Sequence, residues 1–340
     1  MNNNGKVVAF GELMLRLTPP GAERFVQADR FEAVYGGGEA NVAVSCSNFG
    51  LDTEFVTRLP AHEIGQAAVN ELRRYGVGTG WIRRGGDRIG LYYHEKGASQ
   101  RPSKVIYDRA GSALAEAEPS EFDWEKILDG AGWFHFSGIT PALSDNAAQI
   151  VLEAAKAAKK LGVTVSMDIN YRKNLWSLEK ASGILTGLAP YVDVCLGIGE
   201  AEARNVFGLE PQGETAVERF ANFSRELAKK YGFKTTAVTF REAISANDNK
   251  ISGLIYDAAS DSCHASRKYD MHIVDRVGGG DAFASGLIYA LITGRDPGEA
   301  VEYAAAASCL KHTIEGDVNL VSAEEVETLA HGDGSGSIRR

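Results

Sequence analysis

The chain of 340 residues carries 36 basic and 45 acidic side chains, a formal net charge of −9, and is 44% apolar. The apolar share supports a sizeable core and excludes wholesale disorder. The acidic balance argues against a general nucleic-acid or anionic-membrane surface, yet leaves room for a local basic pocket.

The polar start runs directly into "KVVAF" (6–10), a short buried strand, without a secretory leader. Small and apolar residues at helical spacing follow over 40–50, then a strand over 53–59 and an amphipathic helix over 65–76. A strand at 132–138 precedes a long helix over 146–162, and further strands occupy 163–170 and 192–199, the last leading into a helix from Glu200. Strands at 234–240 and 252–257 come next, then two largely apolar helices over 281–294 and 300–312. Strands alternating with crossover helices predict an α/β fold, a three-layer α/β/α core on a mostly parallel central sheet, with ligands beyond the carboxyl ends of the strands.

Two stretches break the rhythm. Residues 12–35 and 88–113 hold short alternating runs, "LMLRLT", "RFEAVY", "IGLYYHE" and "SKVIYDR", with no helical pattern inside either stretch. They predict antiparallel strands in a small β-sheet lid beside one domain spanning 1–330. The Gly/Ser-rich end, 331–340, reads as a flexible tail. The four cysteines, Cys46, Cys195, Cys263 and Cys309, are dispersed, and none sits at zinc-finger spacing. No run of about 18 apolar residues occurs, so a soluble cytoplasmic protein is expected.

Two glycine runs bear on chemistry. In "VGGGDAFASG", Asp281 stands where a helix begins, which suits a helix cap. The same geometry suits a phosphate site: Gly278, Gly279 and Gly280 allow close backbone approach, helix-terminal amides favour anions, and a carboxylate there has use as a base. In "YGGGEANVAVS", Gly37, Gly38 and Asn41 open a small-residue helix where a polar ligand could touch backbone. No P-loop, GxGxxG or GxSxG signature is present.

The early "GGGEANVA" and the late "DRVGGGDAFASG" resemble the paired signatures of the ribokinase-like (PfkB) carbohydrate kinases. "GELMLRL", "VIYDRAGSA", "HFSGITPALS" and "MDINYRKNLWS" resemble the branch of that family that phosphorylates 2-keto-3-deoxygluconate. The resemblance implies transfer of the ATP γ-phosphate to a sugar primary hydroxyl, with Asp281 as base and Gly278, Gly279 and Gly280 as anion hole. One preorganised donor of that kind is worth roughly 3 kcal/mol. Gly37, Gly38 and Asn41 match its sugar-contacting turn, and Asp317 stands where the family often has a substrate-contacting aspartate, though with different flanking residues. A sugar acid needs a cation and hydroxyl donors: Arg109 and Arg172 could supply charge suited to a carboxylate, and Tyr92 and Tyr107 phenolic hydroxyls from the lid. Asn170, Gly199, Thr239, Gly278 and Gly280 fall on its nucleotide side, and Glu202 near a Mg2+ held mainly through water and phosphate. ATP and a sugar acid are the expected ligands, a requirement for a monovalent cation is left open, and the exposed lid sheet offers an edge or face on which a homo-oligomer can form. A family-typical K-x-G-x-x-G loop after Thr239 is absent, and the polar "SANDNK" stands in its place. Kinases for fructose, ribose or the galactonate epimer, and a sugar-acid-binding regulator, remain alternatives at this point.

Overall fold

Strands buried on both faces make the centre of the structure, a computed structural model that describes residues 5–332. The strands are β1 (Val7–Phe10), β2 (Met14–Thr18), β3 (Glu32–Gly36), β4 (Thr53–Val56), β5 (Arg58–Leu59), β6 (Arg83–Arg84), β7 (Gly90–Glu95), β8 (Lys104–Asp108), β9 (Trp133–Ser137), β10 (Thr164–Asp168), β11 (Val194–Leu196), β12 (Thr235–Ala243), β13 (Asp248–Asp257), β14 (Ser262–Ala265) and β15 (Tyr269–His272). The helices are α1 (Gly38–Asn48), α2 (Glu63–Arg74), α3 (Trp124–Ile127), α4 (Asp145–Leu161), α5 (Leu178–Leu188), α6 (Glu200–Asn205), α7 (Ala216–Tyr231), α8 (Gly279–Ile292), α9 (Pro297–Lys311) and α10 (Ala323–His331).

The central sheet runs β14-β13-β12-β11-β10-β9-β1-β4, with β15 also on β13. Strands β4, β1, β9, β10, β11 and β12 are parallel, and β13, β14 and β15 add an antiparallel edge. Side chains alternate between two helical layers, as strand geometry requires. Val7, Trp133 and Val194 pack with α8 and α9, while Val8, Phe134 and Cys195 pack with α4, α5 and α7. Local signals set the helix ends. Ser144 accepts from the Ala147 N–H at 3.1 Å to start α4, and Gly162 ends it at φ +73°. The three-layer α/β/α expectation holds.

The lid is a second sheet, β3-β2-β7-β8. The expectation of an all-antiparallel lid is corrected: β2 and β7 pair in parallel. Each stretch forms its own antiparallel pair, but β2 and β7 are joined by a crossover through α1, β4 and α2, which brings them together with the same direction. A second correction concerns the late strands. Strands β12 and β13 extend past the expected 234–240 and 252–257 to form one long hairpin, and "SANDNK" supplies its tip and the start of β13. Cross-strand hydrogen bonding there carries polar residues that alternation alone left as loop. Strands β14 and β15 went unread, being short and polar. Residue 331 closes α10 rather than opening a tail, and residues 333–340 of the expected tail lie outside the described residues. Among the described residues no helix is long and apolar enough to cross a membrane.

Candidate active site

The carboxyl ends of β1, β9 and β10 converge below the lid, and three acids gather there. Glu39, in the first turn of α1, is buried and accepts from the Ser137 N–H (3.0 Å), the Ser137 hydroxyl (2.7 Å) and the Thr140 hydroxyl (2.7 Å). Asp168 ends β10 and accepts from the Asn170 N–H at 3.1 Å, with Asn170 in the left-handed region at φ +36°. Asp281 comes from α8.

Asp281 is not the helix cap that its position suggested. Gly278 caps α8 at φ +83°, which places Asp281 third in the helix. The glycines are there for space. A Cβ on Gly278 would lie 1.9 Å from the Asp317 carbonyl oxygen, and one on Gly279 would lie 2.2 Å from the His312 ring. A Cβ on Gly280 would meet nothing within 4 Å, so that position faces open space. Helix geometry leaves the Gly280 and Asp281 amides without intrahelical acceptors, aimed at that space.

The two glycine motifs meet although 240 residues apart: Asn41 Nδ2 donates to Asp281 Oδ2 at 2.7 Å. The Gly37 N–H in turn donates to Asn41 Oδ1 at 3.3 Å. A Cβ on Gly38 would approach Asp281 Oδ1 to 3.6 Å. Removal of water pushes the Asp281 carboxyl up to about 7, a rise opposed by the Asn41 hydrogen bond and aided by Asp168, Glu39 and Asp317. Burial likewise pushes Asp168 up to about 6, against the pull of the Arg172 cation and the Asn170 N–H. A carboxylate that titrates near neutral pH, beside amides suited to an anion, can take a proton from a hydroxyl as that hydroxyl attacks phosphorus.

The lid residues divide. Tyr92 and Tyr107 are directly opposed on β7 and β8 and face the cleft, their rings 5.9 Å apart. Tyr107 is exposed, whereas buried Tyr92 gives its hydroxyl to Asp317. Asp317 also accepts from Arg16 at 2.5 Å, so both its carboxylate oxygens are engaged. Arg109 is buried and paired with Glu12, which also takes the Ser112 hydroxyl, so the expected free charge at Arg109 is corrected. Its Nε has no partner. Arg172 is exposed, and its cation acts on Asp168.

On the other side of the loop, Gly199 caps α6 and its N–H donates to Glu202 Oε2 at 3.0 Å. Glu202 therefore serves the helix start in this structure. Glu200 pairs with Arg219 at 2.7 Å. Thr239 is half-buried opposite Gly253 in the β12–β13 ladder. No group of three His, Cys, Asp or Glu side chains is disposed to hold a metal among the described residues. Sequence reasoning missed Arg16, Glu39, Asp168 and Asp275 as site residues. Glu39 and Asp168 lay inside quoted motifs, and only the strand-end placement reveals their convergence on Asp281.

A model of the pfkB family carbohydrate kinases matches residues 4–323. The 2-dehydro-3-deoxygluconokinase of Thermotoga maritima has a similar structure, with a TM-score of 0.93 and 51% identity over 96% of this chain and 100% of that one. A PfkB family carbohydrate kinase from Listeria grayi gives a TM-score of 0.90 at 35% identity over 96% of this chain and 99% of its own. The 2-dehydro-3-deoxygalactonokinase of Haloferax volcanii is 35% identical over 97% of this chain and 98% of its own length.

Proposed function

The chain belongs to the pfkB family of carbohydrate kinases, and from that premise we propose that it transfers the γ-phosphate of ATP to the terminal hydroxyl of 2-keto-3-deoxygluconate (2-dehydro-3-deoxygluconate), giving the 6-phosphate. The bond from Asn41 to Asp281 carries this reading, because it joins the early glycine turn to the late glycine loop, as a shared site for sugar and phosphate would need. The likeness to the Thermotoga maritima 2-dehydro-3-deoxygluconokinase supports the substrate.

The sugar acid binds between the lid and the Gly37–Gly38 turn. The exposed Tyr107 hydroxyl contacts it, and the Arg172 guanidinium takes its carboxylate. Arg109 adds the donor that Glu12 leaves over. Asn41 holds the Asp281 carboxylate toward the hydroxyl, and Asp281 accepts the proton as oxygen attacks phosphorus. The amides of Gly280 and Asp281 steady the charge on the transferring phosphoryl group. The half-buried side chains of Asp168, Asn170 and Glu202 each carry an oxygen that would suit Mg2+ carried in by the phosphates. Such an ion would neutralise phosphate charge. The outer face of the lid carries Leu17, Tyr93 and Ile106 in register, and a dimer forms on it.

A coupled ADP-release assay tests the reading across 2-keto-3-deoxygluconate, its galactonate epimer, fructose and ribose. The gluconate acid should give the highest kcat/KM, and Arg172→Ala should lower that value by about a hundredfold, some 2.7 kcal/mol. Neutral sugars turned over as well as the acid would defeat it. Sedimentation velocity should show a dimer that Ile106→Asp converts to monomer.

A further inference from the structure

Lys311 is fully buried at the last position of α9, directly below the anion loop. Its Cε lies 3.2 Å from where a Cβ on Gly278 would stand. The ammonium donates to two main-chain carbonyls, Ile314 O at 3.2 Å and Asp275 O at 3.5 Å. An ammonium taken wholly out of water is costly unless its charge is matched. The acids that act on it, Asp275 and Asp317, give their carboxylates to Arg16 instead, at 2.5 Å each. Asp275 further accepts from the Val277 N–H at 3.1 Å and the Gly316 N–H at 3.2 Å, and so it anchors the loop that carries the glycines.

The charges decide what Lys311 is for. Two cations, Arg16 and Lys311, stand against two carboxylates, Asp275 and Asp317, and the cluster is neutral. Without Lys311 the cluster would hold one uncompensated negative charge immediately beneath Gly278, where an incoming phosphate gathers its own. We infer that Lys311 is a positioning residue for phosphoryl transfer: its ammonium is a resident cation that cancels the buried carboxylate charge under the anion loop and fixes the Asp275 carbonyl that leads into it. A helix C-terminus also favours a cation, but that role alone would leave turnover untouched when the charge is removed and the fold retained. Burial opposes the charge on Lys311, and the fields of Asp275, Asp317 and Asp281 restore part of it against that of Arg16.

The inference rests on the kinase reading, and two readouts keep the failure of each apart. Lys311→Met removes the charge with similar volume, and Lys311→Gln keeps an N–H donor without charge. Both should lower kcat for the sugar acid at least a hundredfold, with sugar KM within threefold and the melting temperature within a few degrees. By calorimetry, affinity for ADP with Mg2+ and aluminium fluoride should fall at least thirtyfold, while affinity for ADP alone stays within threefold. Lys311→Ala should regain at least tenfold in kcat with added ethylammonium. Parent turnover should be equal in sodium, potassium and tetramethylammonium salts. Lys311→Gln with kcat and aluminium fluoride affinity within threefold of the parent overturns the inference, as does failure of both charge-free variants to fold. A parent inactive on every sugar defeats the kinase reading, and the aluminium fluoride arm still decides the role of Lys311.

Discussion

The loop at Gly278 and the hairpin of β12 and β13 flank the same cleft and are built on opposite rules. In the loop the Asp317 carbonyl confines Gly278 and the His312 ring confines Gly279, while Gly280 faces open space. A single side chain would spoil it. The hairpin depends on a ladder of nine residue pairs from Thr235↔Asp257 to Ala243↔Asn249, in which no one side chain is decisive. Its tip is fastened to the loop between β7 and β8 by two hydrogen bonds, from the Ala246 N–H to Ser99 O and from the Ser99 N–H to the side-chain Oδ1 of Asn247, each 2.7 Å. One region is specified atom by atom, the other by length and pairing. Composition therefore announces the first and hides the second.

The largest effect that would break this contrast belongs to Asp281. Asp281→Asn should lower kcat by about 10² to 10⁴ in the coupled assay while the variant stays folded. In the parent, kcat/KM should rise with pH through about 7, as the Asp281 carboxyl loses its proton. Asn41→Ala removes a hydrogen bond that favours the carboxylate, so this acid limb should move to higher pH. The sign on stability is opposite. A carboxyl raised from 3.8 to about 7 favours the folded state below about pH 4, and that contribution is lost as pH climbs toward 7. Asp281→Asn should thus gain melting temperature relative to the parent at pH 8 compared with pH 4, measured by calorimetry.

A second, smaller pair separates fold from chemistry within the loop. Gly279→Ala forces a methyl against the His312 ring and should cost about 1–3 kcal/mol of stability in urea. Gly280→Ala has room, so stability should change by less than about 0.5 kcal/mol. Its methyl stands where the phosphate is expected, and kcat/KM for ATP should drop at least tenfold, about 1.4 kcal/mol. Equal behaviour of the two variants would remove the distinction drawn here. The smallest effect is expected in the hairpin. Replacing 244–248 by a two-residue Asn-Gly turn should change KM for ATP and for sugar by less than about tenfold, with kcat held within about threefold. A collapse of kcat would show that the tip reaches the chemistry.

The alternation of strands and helices was legible because buried parallel strands and amphipathic helices have distinct periods, and the glycine motifs because a missing Cβ is visible in the letters. The convergence of Glu39, Asp168 and Asp281 was not, since it depends on three strand and helix ends lying side by side. Nor was the pairing of Arg109 with Glu12: an arginine in a motif shows its charge but not the acid, 97 residues away, that meets it. The lid's parallel central pair was hidden for the same reason, as local alternation reports strands without their partners.

Alternation along β8 has one more consequence. Tyr107 faces the cleft and Ile106 faces outward, and the five residue pairs with β7 set the register of that edge strand. A slip of one residue would turn Ile106 into the cleft and Tyr107 to the opposite face, exchanging a hydroxyl for a greasy wall on one side and the reverse on the other. For anyone redesigning the lid, register therefore matters as much as residue identity, and a mutation in the turn between β7 and β8 can rewrite both surfaces at once.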